Sequence, residues 1–180
     1  METDRTSLVG VSLGGLIVQQ FTVDFPEKVN KLVIADSYSA TIGTKARINA
    51  WIAAFGLKAL PKALAARSFE LAYKGADKEH VRRYFREAIA KTGIRQARLD
   101  RDEANKFNIL NELDEVRAPT LVLVGDSFGE WFVNLAKETA KRIKGARFKV
   151  LKGGQDPSNL VVPDLFDNEV LNFIRAGNAE

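Results

Sequence analysis

The sequence lacks cysteine altogether, and His80 is the only histidine among its 180 residues. The absence of thiols excludes disulfide bonds, thiolate metal sites and a thiol nucleophile, and it suits a reducing compartment, so we predict a cytoplasmic location. One histidine with scattered carboxylates offers no ligand spacing typical of a metal site. We therefore expect neither a metal ion nor a cofactor.

Long apolar runs and charge of one sign are also missing. No stretch approaches the roughly 18 uninterrupted apolar residues that a membrane span needs, and residues 1–5 do not lead into a secretory hydrophobic region, so we expect no membrane partner. The net charge of +4 arises from 27 basic and 23 acidic residues that are interspersed along the chain. The densest basic run, 82–86, is flanked by Glu79 and Glu87. Because a phosphate-tracking surface needs a field of more uniform sign, we expect no nucleic-acid partner.

Hydrophobic residues make up 46% of the chain, which is enough for one domain with a real core. Four apolar runs have the β-branched content of buried strands, and segments with helical spacing of apolar residues lie between and after them. The runs cover 6–11, 31–35, 120–124 and 147–151, and the helical segments cover 14–25, 130–143 and 163–174. This alternation predicts an α/β fold with a parallel sheet of about four strands in sequential order and helices on both faces.

The pattern between the second and third strands is helical only. It predicts helices over 44–57, 62–73, 78–92 and 95–113, separated by glycine and proline at Gly56, Pro61, Gly75 and Gly93. A helical block inserted between two parallel strands is typical of a cap that lies over the carboxyl ends of the strands. We therefore predict a first part of an α/β core over 1–40, a helical cap over 41–117 and a second part of the core over 118–180.

A serine turn follows the first strand and opens the first helix, with the sequence Gly10, Val11, Ser12, Leu13, Gly14. A strand, a sharp turn and a helix form the context that the G-x-S-x-G motif requires. The glycines let the strand and the helix approach each other without Cβ clashes, while the turn strains the serine backbone. The helix then directs its first N–H groups toward the serine, so the Leu13 N–H is placed to donate to an oxyanion.

At this point the sequence resembles the α/β-hydrolase family, and in particular its small capped members, which include carboxylesterases, haloperoxidase-like enzymes and acyl-lactone hydrolases. The likeness runs from the serine turn, over 10–15, to nearly the end of the chain. Further similar segments are 25–29 with 32–37, 118–125 before the family's acid, and 157–160 after its histidine. The resemblance implies that Ser12 stands at the nucleophile position and that the chain corresponds to the C-terminal part of the hydrolase fold.

The sequence departs from the family at the other two members of the catalytic triad. A serine is a weak nucleophile until an imidazole takes its proton and an acid orients that imidazole. The family's acid position carries Phe128, and Asp126 would replace it only if the loop moved. The position of the family's histidine is occupied or adjoined by Gln155, which cannot accept a proton near neutral pH.

Three other side chains bear on this chemistry. Asp156 is a weak general base beside Gln155, and Asp36 ends the second strand, where some relatives carry their acid. We expect His80 to lie exposed in the first turn of a cap helix, away from the triad positions. If it reached Ser12, the cap would complete the site.

Two functions remain open from the sequence. The first is hydrolysis of small carboxylic esters by Ser12, weakened or lost because the triad is incomplete. The second is binding of an apolar small molecule or a partner without turnover, by a hydrolase relative whose cleft is lined by aromatic residues. The candidates are Trp51, Phe55, Phe128, Trp131 and Phe132, although their helical spacing favours ordinary core packing.

The start of the sequence leads to one expectation about association. The family's first strands and helix precede its serine turn, whereas here the turn begins at Gly10, so the sequence is either a fragment of a longer hydrolase or a natural short form. In both cases the strand over 6–11 becomes an apolar edge with neither Pro nor Lys to protect it. We predict a homo-oligomer that pairs through this edge.

Overall fold

The computed structural model describes residues 5–177 and contains two compact units. The core unit comprises the described residues up to Thr41 and those from Phe107 onward, and the helical unit is Ile42–Lys106. The core unit holds four strands, β1 (Thr6–Val11), β2 (Val29–Ala35), β3 (Thr120–Gly125) and β4 (Arg147–Leu151). It also holds four α-helices, α1 (Leu13–Asp24), α5 (Glu130–Arg142), α6 (Ser158–Val161) and α7 (Pro163–Arg175). The helical unit holds α2 (Thr44–Ala59), α3 (Lys62–Leu71) and α4 (Glu79–Lys106).

The four strands form one parallel sheet in the order β1-β2-β3-β4, as the sequence predicts. The strands in the middle of the sheet are the most apolar. Every residue of β3 is buried, and β2 is buried from Lys31 to Ala35. Parallel strands are joined by crossovers that cover both faces of the sheet, which explains why these two strands lack the alternation of a half-exposed strand.

Helices pack on both faces of the sheet. Val33 and Ala35 of β2 share a core cluster with Phe166 and Phe173 of α7, so α7 covers the face to which these valine and alanine side chains point. Gly10 of β1 pairs with Ile34, which points to the opposite face because successive residues of a strand alternate. A Cβ on Gly10 would meet the Gly14 carbonyl oxygen at 2.3 Å, so α1 lies against that opposite face. The predicted covering of both faces is therefore confirmed.

A buried lysine joins β2 to the end of α7. The side chain of Lys31 is 5% exposed, and its Nζ donates hydrogen bonds to the carbonyl oxygens of Phe173 at 3.1 Å, Ile174 at 3.0 Å and Ala176. The last carbonyls of a helix have no intrahelical partner and carry its negative dipole end. Lys31 therefore satisfies and neutralises the C-terminus of α7 from inside the core.

The helical unit is held together by contacts of α4 with α2 and α3. Arg98 donates to the carbonyl oxygens of Leu57 at 2.8 Å and Leu60 at 3.2 Å, and the rings of Phe69 and Phe85 are stacked at 5.8 Å. The backbone of α4 is interrupted at Gly93, where φ is 78° and ψ is 153°. A side chain is strained at such a positive φ. The break separates two helices at the glycine where the sequence predicts it.

The second boundary of the helical block differs from the sequence expectation. The sequence predicts a helix over 95–113 and a block that extends to 117, whereas α4 ends at Lys106 and the core unit resumes at Phe107. The reason is tertiary pairing. The Ile109 N–H donates to the Ser39 carbonyl oxygen at 3.0 Å, and Asn108 forms an antiparallel bridge with Ala40. The end of the predicted helix is thus drawn into the core, where Leu113 is buried.

Within residues 5–177, the helices are all too short or too polar to cross a membrane.

Candidate active site

Ser12 lies at the turn between β1 and α1 in a strained backbone conformation. Its φ is 55° and its ψ is −121°, in the left-handed region that favours glycine and costs another residue about 1–3 kcal/mol. The Ser12 N–H donates to the Ala35 carbonyl oxygen, and its own carbonyl accepts from the Gly15 N–H, both at 2.9 Å. These bonds hold the strained turn and fix the direction of the hydroxyl.

The residues around Ser12 explain why the turn can be so tight. A Cβ on Gly10 would come within 2.5 Å of Val18 Cγ2, in addition to its clash with the Gly14 carbonyl, so β1 and α1 could not approach each other with a larger residue there. Leu13 is the first residue of α1. The N–H groups of a first helical turn have no intrahelical acceptor, and the positive end of the helix dipole lies beside them. The turn therefore offers an anion-stabilising position next to the Ser12 hydroxyl.

A carboxylate contacts the Ser12 hydroxyl directly. Ser12 Oγ donates a hydrogen bond of 2.8 Å to Asp156 Oδ2, across 144 residues of sequence. The sequence assigns the position of the family's histidine to Gln155, but the side chain that reaches the serine is that of the next residue. Asp156 lies in the segment that joins β4 to α6. An ionised carboxylate can accept the proton of a serine hydroxyl, although it is a weaker base than imidazole.

Asp126, the alternative acid, directly follows β3 and is exposed. Its Oδ1 accepts hydrogen bonds from the Gly153 N–H at 2.8 Å and from Ser127 Oγ at 3.5 Å. The loop after β3 is also bound to the loop after β4 by the Ser127 N–H, which donates to the Gly154 carbonyl oxygen at 2.9 Å. These contacts give Asp126 a part in joining the two loops, and its role as an acid stays a prediction.

Asp36 is the most deeply buried carboxylate near the turn, being 2% exposed. Its Oδ1 accepts from the Gly125 N–H at 2.9 Å and from Ser158 Oγ at 3.0 Å, and its Oδ2 accepts from the Ser158 N–H at 2.6 Å. Burial raises the pKa of the Asp36 carboxyl above its ordinary value, and the hydrogen bonds from Gly125 and Ser158 offset part of that rise. The sequence shows Asp36 at a strand end but gives no indication that it binds a segment 122 residues away.

The aromatic side chains divide between core and surface. Phe132 is buried, with Tyr38 at 6.3 Å and Phe128 at 5.3 Å between ring centroids, which agrees with core packing. The prediction of core packing is wrong for Trp51 and Phe55, whose side chains are 64% and 56% exposed. Their rings stack on each other with centroids 5.2 Å apart. The only residue of α2 that is buried is Ala46, so this helix presents its large apolar side chains outward. His80 is exposed in the first turn of α4, as expected.

The described residues, 5–177, contain no group of three or more histidine, aspartate or glutamate side chains that could hold a metal ion. The polar groups at the serine turn are thus a hydroxyl, carboxylates and backbone N–H groups. Such a set suits proton transfer and anion stabilisation at a carbonyl group.

No protein-family model matches the chain. A curated relative is a proposed carbamate hydrolase, RutD, of Rhizobium rhizogenes, which is 26% identical over 98% of this chain and 69% of its own length. Among solved structures, a hydrolase from Pseudomonas aeruginosa PA01 has a TM-score of 0.77 at 22% identity and covers 97% of this chain. The enol-lactonase of Burkholderia xenovorans LB400 also has a TM-score of 0.77, at 17% identity over 96% of this chain.

The chain spans 66% of the length of each of these two solved structures. Its parallel sheet, its serine turn between strand and helix, and its similarity to these structures agree with the family resemblance of the sequence. The chain has the fold of the α/β-hydrolases over the part of those structures that it spans.

Proposed function

We propose that this protein is a serine ester hydrolase of low activity that acts on small carboxylic esters. The observation that carries the proposal is the hydrogen bond of 2.8 Å from Ser12 Oγ to Asp156 Oδ2 at a strained turn between strand and helix. The names of the similar proteins support it, because a carbamate and an enol-lactone both carry a carbonyl group bonded to a heteroatom that can leave.

The reaction follows from the groups at the turn. Ser12 Oγ bonds to the ester carbonyl carbon while its proton passes to the Asp156 carboxylate, and the Leu13 N–H donates to the resulting oxyanion. Collapse of this intermediate breaks the bond to the alkoxide, which takes the proton from Asp156 and leaves an acyl group on Ser12. Water then attacks the acyl group with Asp156 as the acceptor of its proton, the acid leaves, and Ser12 regains its hydrogen.

Low activity is the expected consequence of a carboxylate in this position. An imidazole is matched to proton transfer near neutral pH, whereas an ionised carboxylate holds a proton only weakly. Enzymes that lose triad members keep a residual rate of roughly 10³–10⁴ over water from binding and oxyanion stabilisation. We expect proton transfer from Ser12 to Asp156 to raise the rate of this protein above that residual range, but to leave it far below the rate of a complete triad.

The test is p-nitrophenyl acetate turnover by wild-type protein and three variants. Ser12→Ala should lower turnover to the residual rate that does not depend on Ser12, and Asp156→Asn should reduce kcat about tenfold or more, since an amide cannot accept the proton. The matched control is His80→Ala, which should leave the rate and its pH profile unchanged. A fluorophosphonate should label wild-type protein but not Ser12→Ala. An undiminished rate in Ser12→Ala, or a rate that His80→Ala abolishes, would contradict the proposal.

The second candidate function is binding of an apolar small molecule without turnover. The contact of Ser12 with a carboxylate, where an active hydrolase has an imidazole, favours this candidate. A carboxylate weakens catalysis, but it leaves the structure of the serine turn unchanged. If wild-type protein shows no Ser12-dependent rate but binds p-nitrophenyl butyrate as tightly as Ser12→Ala does, the binding function replaces the hydrolytic one.

We further propose that the helical unit Ile42–Lys106 is the cap of this site and that the protein acts in the cytoplasm. The insertion of the unit after β2, directly beyond the strand end that carries Asp36, supports the first point. The absence of cysteine supports the second.

We also propose that the protein is a homo-oligomer joined through β1. Within the described residues, 5–177, β1 pairs with β2 alone, and its other edge offers N–H and C=O groups to a further strand. Exposed apolar side chains follow one another at helical spacing along α1 and just beyond its end: Leu13, Ile17, Phe21 and Phe25. Pairing of β1 with the same strand of a second copy across a twofold axis would satisfy the edge and bury apolar surface together.

A further inference from the structure

Asp36 lies at the point where three strand ends of the core meet. Its backbone N–H donates to the Leu123 carbonyl oxygen at 2.9 Å, and the carbonyl of the preceding residue, Ala35, accepts the Ser12 N–H at 2.9 Å. Its carboxylate binds Gly125 at the end of β3 and Ser158 at the start of α6. The backbone of Asp36 has a φ of 46°, in the left-handed region that glycine favours. An aspartate in a conformation that glycine favours indicates that the contacts of its side chain offset the backbone strain.

The contacts of Asp36 reach both partners of the Ser12 to Asp156 hydrogen bond. On one side, the backbone next to Asp36 holds the N–H of Ser12. On the other side, its carboxylate holds Ser158, two residues beyond Asp156, by both the backbone N–H and the side-chain hydroxyl. Neither anchor involves the bond between Ser12 and Asp156. Asp36 and the Ala35 carbonyl next to it therefore contact the backbone on both sides of that part-buried hydrogen bond, independently of the bond itself.

We propose that Asp36 is a positioning residue for the reaction at Ser12, which acts by fastening the segment that carries Asp156 to the strand end beside the serine turn. The inference rests on the proposed hydrolytic function. Three hydrogen-bond donors converge on the two oxygens of one carboxylate, and an isosteric amide can accept through one oxygen only. In Asp36→Asn the amide NH₂ would face the N–H of Gly125 or of Ser158, so at least one anchor would be lost.

The magnitude of the effect follows from the sensitivity of proton transfer to distance. Displacement of a catalytic group by about 1 Å can lower a rate roughly 100-fold, while the binding of a small ester, which involves other contacts, changes little. We therefore expect Asp36→Asn to lower kcat for p-nitrophenyl acetate about tenfold or more, with KM within about twofold of wild type.

The experiment compares Asp36→Asn, Ser158→Ala and the double variant with Lys31→Met as control. Lys31 lies on the same strand but binds the C-terminus of α7, so its variant lowers stability without touching the anchors of Asp156. Ser158→Ala removes the hydroxyl contact and keeps the backbone one, so it should lower kcat about threefold. The double variant should resemble Asp36→Asn alone, because both substitutions act through one contact. Lys31→Met should keep the wild-type kcat at a temperature where all variants are folded.

Amide hydrogen exchange supplies a readout that does not require turnover. The amides of Gly125, of 153–156 and of Ser158 should exchange at least about tenfold faster in Asp36→Asn than in wild type, and at the wild-type rate in Lys31→Met. If no Ser12-dependent turnover exists, the proposed function fails while faster exchange still supports the anchoring role. Unchanged exchange together with unchanged kcat in Asp36→Asn would overturn the inference. If Asp36→Asn does not fold, Ser158→Ala alone decides, and an unchanged exchange rate there would overturn it.

Discussion

A single residue, the buried Asp36, makes the stability of the protein depend on pH. Burial raises the pKa of this carboxyl in the folded chain above its value in the unfolded chain, which is about 3.9. A group with a raised folded pKa contributes stability that is full below the unfolded pKa and is lost as the pH rises through the folded pKa. Ionisation of Asp36 therefore lowers the stability of the fold as the pH rises above the unfolded-state pKa of about 3.9.

Asp36→Asn removes this titration, so the comparison with wild type isolates it from all other groups. We expect the unfolding free energy of wild type minus that of Asp36→Asn to decrease as the pH rises from 4 to 7, measured by urea denaturation at constant ionic strength. A difference for Asp36→Asn that stays constant or increases with pH would contradict the raised pKa.

The sequence predicts the site only in part, and the reason differs from residue to residue. The position of Ser12 in a tight turn is predictable because the sequence itself shows the glycines that such a turn requires. The partner of Ser12 is not, since Gln155 and Asp156 are neighbours and the choice between them depends on how the loop after β4 is bound to Asp36 and Asp126. The exposure of Trp51 is equally hidden, because apolar side chains at helical spacing show the same pattern whether their helix face is covered or open.

At the scale of elements, the attachment of α7 to the sheet depends on Lys31 more than on the surface ion pair nearby. Lys31→Met should lower the unfolding free energy by about 2–3 kcal/mol, because hydrogen bonds to a charged group contribute about 1.5–3 kcal/mol each and the lost solvation of the buried ammonium offsets part of that sum. Lys149 also contacts α7, through Glu169, but its side chain is half exposed. Lys149→Met should therefore change the unfolding free energy by less than about 1 kcal/mol.

Urea denaturation of the two variants checks this expectation, with amide exchange of the last turn of α7 as a local readout. Exchange there should accelerate in Lys31→Met, because three carbonyl groups lose their donor and the end of the helix frays. Equal losses of unfolding free energy in the two variants would show that the buried Lys31 stabilises the protein no more than the half-exposed Lys149 does.

Elements whose pattern is strong and local are those that the sequence predicts best. All four strands are found within two residues of their predicted bounds, and the break at Gly93 coincides with its glycine. The error lies at 107–113, where the apolar spacing continues but the chain leaves the helix. The backbone of Ile109 exchanges an intrahelical hydrogen bond for one with Ser39, about 70 residues earlier in the chain, and such a long-range pairing has no local signal.

At the scale of the whole molecule, the two edges of the sheet differ in a way that bears on association. The β4 edge carries Arg147 and Lys149 among its five residues, and such charges discourage pairing with another strand. The β1 edge has no charged residue and no proline. Its side chains include Val9, which is 41% exposed and, as the partner of Val33, lies on the sheet face opposite α1. If one edge of this sheet recruits a second copy, these sequences favour β1.

We expect a homodimer or a larger symmetric assembly whose mass falls to that of the monomer in Val9→Lys, because a buried cation at the twofold axis would face its own copy. Val150→Lys is a closely matched control, since Val150 lies on the β4 edge and is 40% exposed. Light scattering across a dilution series from about 100 to 1 μM should show wild type and Val150→Lys as oligomers and Val9→Lys as a monomer. Dissociation on Val150→Lys but not on Val9→Lys would assign the contact to the opposite edge. A wild-type protein that is monomeric throughout the series would mean that no second copy covers β1, and the proposal of a homo-oligomer would be wrong.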